Sequence, residues 1–137
     1  MKDLIPTGEF LALELRHITR DSCEKWGYHI AEFKGADVQV ADYRDDQGLL
    51  VCQKVRFRNK DFLIMGNARE MGLYGKHLWR EKGKRIVITE GEIDAISISQ
   101  IQDHKWPVVS VPNGAQGAKK AIQADLQYLE GFDNVVL

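Results

Sequence analysis

The stretch Lys84-Arg-Ile-Val-Ile-Thr-Glu-Gly-Glu-Ile-Asp94 constrains this chain more than any other. Ile86, Val87 and Ile88 are β-branched and fit a pleated, buried surface, so they read as a short strand. Glu90 then stands at the carboxyl end of that strand, and Gly91 permits a tight turn. Apolar spacing predicts a helix over 92–103, with Ile93, Ile96 and Ile101 on its buried face. A strand that passes so directly into a helix belongs to a βαβ unit and therefore to a parallel sheet. Such sheets hold ligands at the carboxyl ends of their strands. Glu90, Glu92 and Asp94 bring three carboxylates to that place, and carboxylate oxygens suit a hard cation such as magnesium. Acids in a first helical turn also complement the macrodipole. Glu92 and Asp94 carry both readings, and Glu92 is assigned to the dipole.

The pattern repeats downstream. A strand is predicted over 107–111, a loop over 113–117, a helix over 118–129 and an apolar strand from residue 134. A stop inside that strand is expected if the chain is cut from a longer protein. The first half differs. Phe10, Leu11, Leu13 and Leu15 predict a short helix ending at Arg16, and Thr19 reads as the N-cap of a second, closed by Gly27. Strands are expected over 28–33, 38–43 and 49–58, with a short one at 62–65. A loop-rich stretch with Gly66, Gly72, Gly75 and Gly83 follows. The expected class is α/β: a small mixed α/β subdomain over 1–83, then a Rossmann-like, mainly parallel sheet over 84–137.

A chain of 137 residues with 44% hydrophobic and 28% charged composition matches one domain or two small subdomains sharing a core. Its net charge of −1 means that any polyanion site must be local. Cys23 and Cys52 form no C-x-x-C pattern, which argues against a disulfide framework or zinc site and fits a reducing compartment. No apolar run approaches membrane-span length, and the N-terminus carries no signal-peptide core.

Lys54-Val-Arg56-Phe-Arg58-Asn-Lys60 is the second strong feature. If the strand runs throughout, side-chain alternation puts all four cations on one face. A phosphate backbone or a nucleoside triphosphate would relieve their repulsion. The competing reading is a solvated face, or cross-strand pairing with Asp42 and Asp45. Asn113-Gly-Ala-Gln-Gly-Ala-Lys-Lys120 places Gly114 and Gly117 before a helix but lacks Walker spacing. His77 is a candidate base, or simply a structural histidine. Tyr74, Trp79, Trp26, Cys23 and Cys52 read as packing residues.

Thr89-Glu-Gly-Glu-Ile-Asp94 and the Ser110-Val-Pro-Asn-Gly-Ala115 turn resemble a TOPRIM domain, the magnesium-binding fold of primases, topoisomerases and some nucleases. Leu15-Arg-His-Ile-Thr19, Cys23-Glu-Lys-Trp-Gly-Tyr28, Val40-Ala-Asp-Tyr-Arg-Asp45, Gln53-Lys-Val-Arg56 and Gly75-Lys-His-Leu-Trp79 resemble, in order, the primase part of bifunctional primase–helicases of short-tailed phages. The mitochondrial helicase Twinkle is a weaker likeness. The resemblance implies a phage or prophage protein, cytoplasmic in its bacterial host, that makes RNA primers on single-stranded DNA from ribonucleoside triphosphates. It implies Glu90 as the acid of metal-assisted nucleotidyl transfer and Asp94 as a supporting metal residue, with Mg2+ in a two-metal site. Lys54, Lys60 and Arg16 fall on basic positions of that family thought to handle nucleotide or template, and the stripe adds Arg56. An Asp-x-Asp motif completing the metal site is expected beyond Leu137, a zinc-binding module upstream and a helicase downstream. Two rivals stand beside this reading: an inactive module that binds single-stranded DNA, and a TOPRIM nuclease or topoisomerase piece.

Overall fold

Two sheets of opposite character divide the chain. The computed structural model describes residues 3–137, apart from the side chain of Ala115. The first sheet is an antiparallel meander in the order β1 (Tyr28–Phe33), β2 (Ala36–Arg44), β3 (Leu50–Arg56) and β4 (Phe62–Gly66). Lys34 and Gly35 join β1 to β2 with φ of 52° and 82°. A two-residue hairpin needs this left-handed pair to match the twist of its strands. Between β2 and β3 the Asp45 carboxylate accepts the N–H groups of Gln47 and Leu49, both at 2.9 Å.

The second sheet is parallel, in the order β6 (Val108–Ser110), β5 (Gly83–Thr89) and β7 (Phe132–Val136). Helix α2 (Glu92–Ile101) connects β5 to β6, and α3 (Gly114–Ala124) with α4 (Leu126–Leu129) connects β6 to β7. A further helix, α1 (Arg20–Trp26), precedes β1. Thr19 is its N-cap, accepting the Ser22 N–H, and Gly27 closes it at φ 68°, as the sequence predicts.

Both faces of the antiparallel sheet are covered. On one, Val38, Val40, Val55 and Met65 pack with Ile5. On the other, Tyr28, Ala41, Tyr43 and Cys52 meet α1 through Cys23 and Trp26, and the parallel half through Tyr74, Ala95, Ile96 and Val108. The two sheets therefore share a core. The far face of the parallel sheet buries Ile86, Ile88, Val109 and Phe132 beneath Ala118, Ala121 and Ile122.

A polar network lies within the first of these faces. Gly8 N–H donates to His29 Nδ1 at 3.1 Å, so His29 Nε2 carries the proton it shares with Asp42 Oδ1 at 3.1 Å. Gln53 also donates to that oxygen, and it exchanges two hydrogen bonds with the Ile5 backbone. Each buried polar group here has its partner, which is the condition for such a network to stabilise.

Several expectations are corrected. The predicted helix over 10–15 is absent: Glu9 exchanges two backbone hydrogen bonds with Ile30, and only a 3-10 turn forms at Glu14–Arg16. The chain there is held along the edge of β1, and tertiary pairing overrides local propensity. Helix α2 ends at Ile101, which is 82% exposed, and its buried positions are Glu92, Ala95, Ile96 and Ser99. The helix predicted over 118–129 starts earlier, at Gly114, inside the predicted loop, and is broken at Asp125.

Cys23 and Cys52 are fully buried. Burial raises the Cys23 thiol and pushes Cys52 up to about 11, so both stay protonated near pH 8. Iodoacetamide at that pH is expected to label neither in the native chain and both after denaturation. Rapid native labelling of Cys52 would contradict this packing.

Candidate functional site

Strand β5 is central in its sheet, and its buried Ile86 and Ile88 deliver Thr89 and Glu90 to the carboxyl edge. The Thr89 hydroxyl donates to the Gly91 carbonyl at 2.9 Å and holds the turn. Gly91 itself is extended, at φ −141° and ψ 152°, so its conformation does not demand glycine. A Cβ there would meet the Asp94 carboxylate at 3.4 Å. Asp94 thus folds back over the turn that follows Glu90. Gly114, at φ 64°, brings the start of α3 against the Glu90 carbonyl. Glu90 and Asp94 are both exposed.

Glu92 behaves otherwise. It is 4% exposed, and its Oε2 accepts the Tyr43 hydroxyl at 2.5 Å. Lys54 Nζ lies 3.2 and 3.4 Å from the two carboxylate oxygens and donates to the Pro112 carbonyl at 2.8 Å. Lys54 is 7% exposed, with its ammonium 4.8 Å from the Phe62 ring centroid. Burial, then the neighbouring Glu92 charge, holds the Tyr43 phenol well above its ordinary range, so it remains a donor. The assignment of Glu92 to the helix dipole is therefore corrected: it is the centre of a buried ion pair. Nothing in a one-residue parity pattern distinguishes a covered strand face from an open one. The signal available was the placement of Tyr43 and Lys54 on neighbouring strands; the partner on α2 was not legible.

The stripe is corrected in the same way. Strand β3 stops at Arg56, because Phe57 N–H donates to the Asp61 carbonyl and closes a turn. Lys54 lies under the parallel half, whereas Arg58 and Lys60 lie on that exposed turn. Lys60 stands in the left-handed region at φ 75°. A non-glycine residue there costs about 1–2 kcal/mol.

A cleft of about 710 Å3 lies between the antiparallel sheet, the segment over 13–16 and the start of α2. Arg16, Arg56, Arg58 and Lys60 line it, interspersed with Glu14 and Asp37, and Gly91, Glu92 and Asp94 line it from the start of α2. The structure thus brings together Arg16, Arg56, Lys60 and Asp94, with Glu90 at the adjoining turn, and leaves Lys54 behind the wall. His77 lies in a different cleft, with Asp46, Lys76 and Asp125. Burial and the nearby Arg44 hold its imidazole below the usual range, so it is neutral at pH 7 but remote from the acidic turn.

The family model for the N-terminal α+β fold of the bacteriophage T7 DNA helicase/primase matches residues 8–66. A DNA helicase/primase of Enterobacteria phage T3 is 44% identical over 130 residues, covering 95% of this chain and 23% of that protein. This chain is a TOPRIM-type domain homologous to the N-terminal region of the T7 and T3 helicase/primases. The primase fragment of the bacteriophage T7 primase–helicase matches it with a TM-score of 0.87 and 41% identity, over 98% of this chain and 60% of that one. T7 primase domains seen with the lagging-strand DNA polymerase, an RNA/DNA hybrid and dTTP match at 46% identity and the same TM-score, over 93% and 57% of the two chains. The E. coli primase catalytic core shares the fold at 14% identity and a TM-score of 0.65, over 90% of this chain and 52% of that one. This phage-type TOPRIM chain accordingly spans 23% of the T3 relative's length.

Among the described residues, no group of three or more His, Cys, Asp or Glu side chains converges to hold a metal ion. Glu90 and Asp94 are exposed, hard oxygen donors without an ion-pair partner among the described residues. They fit part of a magnesium donor set, since that ion keeps several waters and takes the rest from carboxylates and phosphates.

Proposed function

We propose that this domain serves RNA-primer synthesis on single-stranded DNA, as the nucleotidyl-transfer part of a primase–helicase. The observation that carries the reading is a cleft that gathers four cations, Arg16, Arg56, Arg58 and Lys60, and is also lined by Gly91 and Asp94 of the turn that follows Glu90. A triphosphate calls for both: its oxygens need cations, and the divalent ion that accompanies it needs carboxylates. Glu90 and Asp94 would hold magnesium, which when bound would neutralise charge on the transferring phosphate. Arg16, Arg56 and Lys60 would bind phosphates of nucleotide or template. Lys54 enters this reading as a positioning residue. Its ammonium holds Glu92 on α2 and the Pro112 carbonyl in the turn before α3, so it sets the spacing of the two loops that flank Glu90. Positioning of this kind matters because catalysis of phosphoryl transfer rests on geometry and electrostatics.

The left-handed Lys60 lines this cleft, and strained backbone positions cluster at functional sites. Lys60→Gly separates use from fold, because glycine accepts positive φ at no steric cost. This variant is expected to match or exceed wild-type stability in denaturant titration. Its affinity for a labelled oligothymidylate or for a ribonucleoside triphosphate is expected to fall, with a salt slope reduced by about 0.7 per lost single-strand phosphate contact. Unchanged affinity and slope would remove Lys60 from the site.

A second reading, a binding module without synthesis, is favoured by one observation: only two exposed carboxylates stand at the turn, and no metal-holding cluster occurs among the described residues. A chimera separates the two. This chain would replace its matching segment of the phage T3 relative, which supplies the remainder of that protein. Primers made from labelled ribonucleotides on single-stranded template support synthesis; template binding without primers supports the module.

A further inference from the structure

A second cleft, of about 740 Å3, opens at the other end of the parallel sheet, where β5 and β6 begin. Arg80, Lys82, Lys84, Arg85, Lys105 and Trp106 line it, and no carboxylate does. All five cations are exposed, and none joins an ion pair among the described residues. Trp106 is 63% exposed. The other two tryptophans are accounted for: Trp26 is buried in the shared core, and Trp79 donates its indole N–H to the Val108 carbonyl at 2.7 Å. Trp106 packs in neither core cluster.

Five uncompensated cations repel one another, and an exposed indole leaves apolar surface in water. A single nucleic-acid strand answers both at once. Its phosphates meet the cations, and an unpaired base stacks on the ring. A duplex would supply the phosphates but not a free base face, and an acidic peptide would leave the indole uncovered. We propose that this cleft is a second binding surface for single-stranded nucleic acid, with Trp106 as its stacking platform. Arg85 lies in β5 and Glu90 directly follows its last residue, five residues or about 16 Å further on. The surface is therefore separate from the acidic turn yet fixed to it by a rigid element, and would hold template while chemistry proceeds at the other end. The proposal rests on the functional reading above.

The test is a titration of the 137-residue chain with unlabelled oligothymidylate, followed by tryptophan fluorescence, and with labelled oligothymidylate over a salt series. Wild type is expected to show quenching that Trp106→Phe removes for the most part, because Trp106 is the exposed indole of the cleft, whereas Trp79 also lines it but is half-buried and Trp26 is fully buried. Trp106→Ala is expected to weaken binding about tenfold, the scale of one lost base stack. Lys84→Ala combined with Lys105→Ala is expected to lower the salt slope by about 1.4. These residues are exposed, so denaturation midpoints should stay near wild type and a folding defect would be visible separately. If binding and slope are unchanged in both variants while Lys60→Gly still weakens binding, the second surface does not exist and the strand runs through the first cleft alone. Quenching by polyglutamate but not by oligothymidylate would make this an acidic-peptide surface and overturn the proposal. Primer synthesis by the chimera is an independent readout: its failure sinks the functional reading without moving this titration.

Discussion

Glu90→Gln is expected to reduce primer synthesis by at least about two orders of magnitude in the chimera, the scale on which losing one charge-stabilising group acts on a transition state. The residue ends the central strand of the parallel sheet, is exposed, and adjoins both Asp94 and the start of α3. Glutamine keeps the shape and hydrogen bonding of glutamate and removes its charge. Glu90 has no ion pair among the described residues, so the fold has little to lose. The thermal midpoint and oligothymidylate affinity should stay near wild type while synthesis collapses. A Glu90→Gln chimera that makes primers at near wild-type rate would end the proposed role for this acid.

The second large effect is on stability. Removing one partner of a buried ion pair strands the other charge, at a cost of about 3–5 kcal/mol. Glu92→Leu and Lys54→Met should each approach that range in urea titrations, a large share of the roughly 5–15 kcal/mol available to a domain. The double variant should be more stable than either single variant, because no isolated charge remains. Tyr43→Phe should cost less, about 1–2 kcal/mol, for a lost hydrogen bond to a charged group. Single variants that lose under about 1 kcal/mol would mean that the ammonium and carboxylate reach water. From the sequence alone, Lys54→Ala would be expected to leave stability nearly untouched, and the burial of Lys54 against Glu92 reverses that expectation.

This contrast shows what each level of description contained. The strand that carries Glu90, its handover to a helix, the capped helix from Thr19 to Gly27 and the antiparallel meander were legible because each depends on neighbours in sequence. β-branched runs, an N-cap hydroxyl and paired turn residues act within a few positions of themselves. The acidic turn and the cations of the candidate site were legible for the same reason: they lie in two short runs.

Which of those charges meet, and which face water, was settled only by tertiary packing. Alternation along 54–60 gives Lys54 and Lys60 one direction only while the strand lasts, and a backbone hydrogen bond from Phe57 to Asp61 ends it. Lys54 and Glu92 are separated by 38 residues. They pair because the parallel half covers that face of the antiparallel sheet, and a charge excluded from water must find its counter-charge. Residues 10–15 likewise gave up helical spacing when Glu9 paired with Ile30. Local sequence thus determined the elements and the chemistry they offer, whereas the packing of one sheet against the other decided which acid is free to work and which is held in an ion pair.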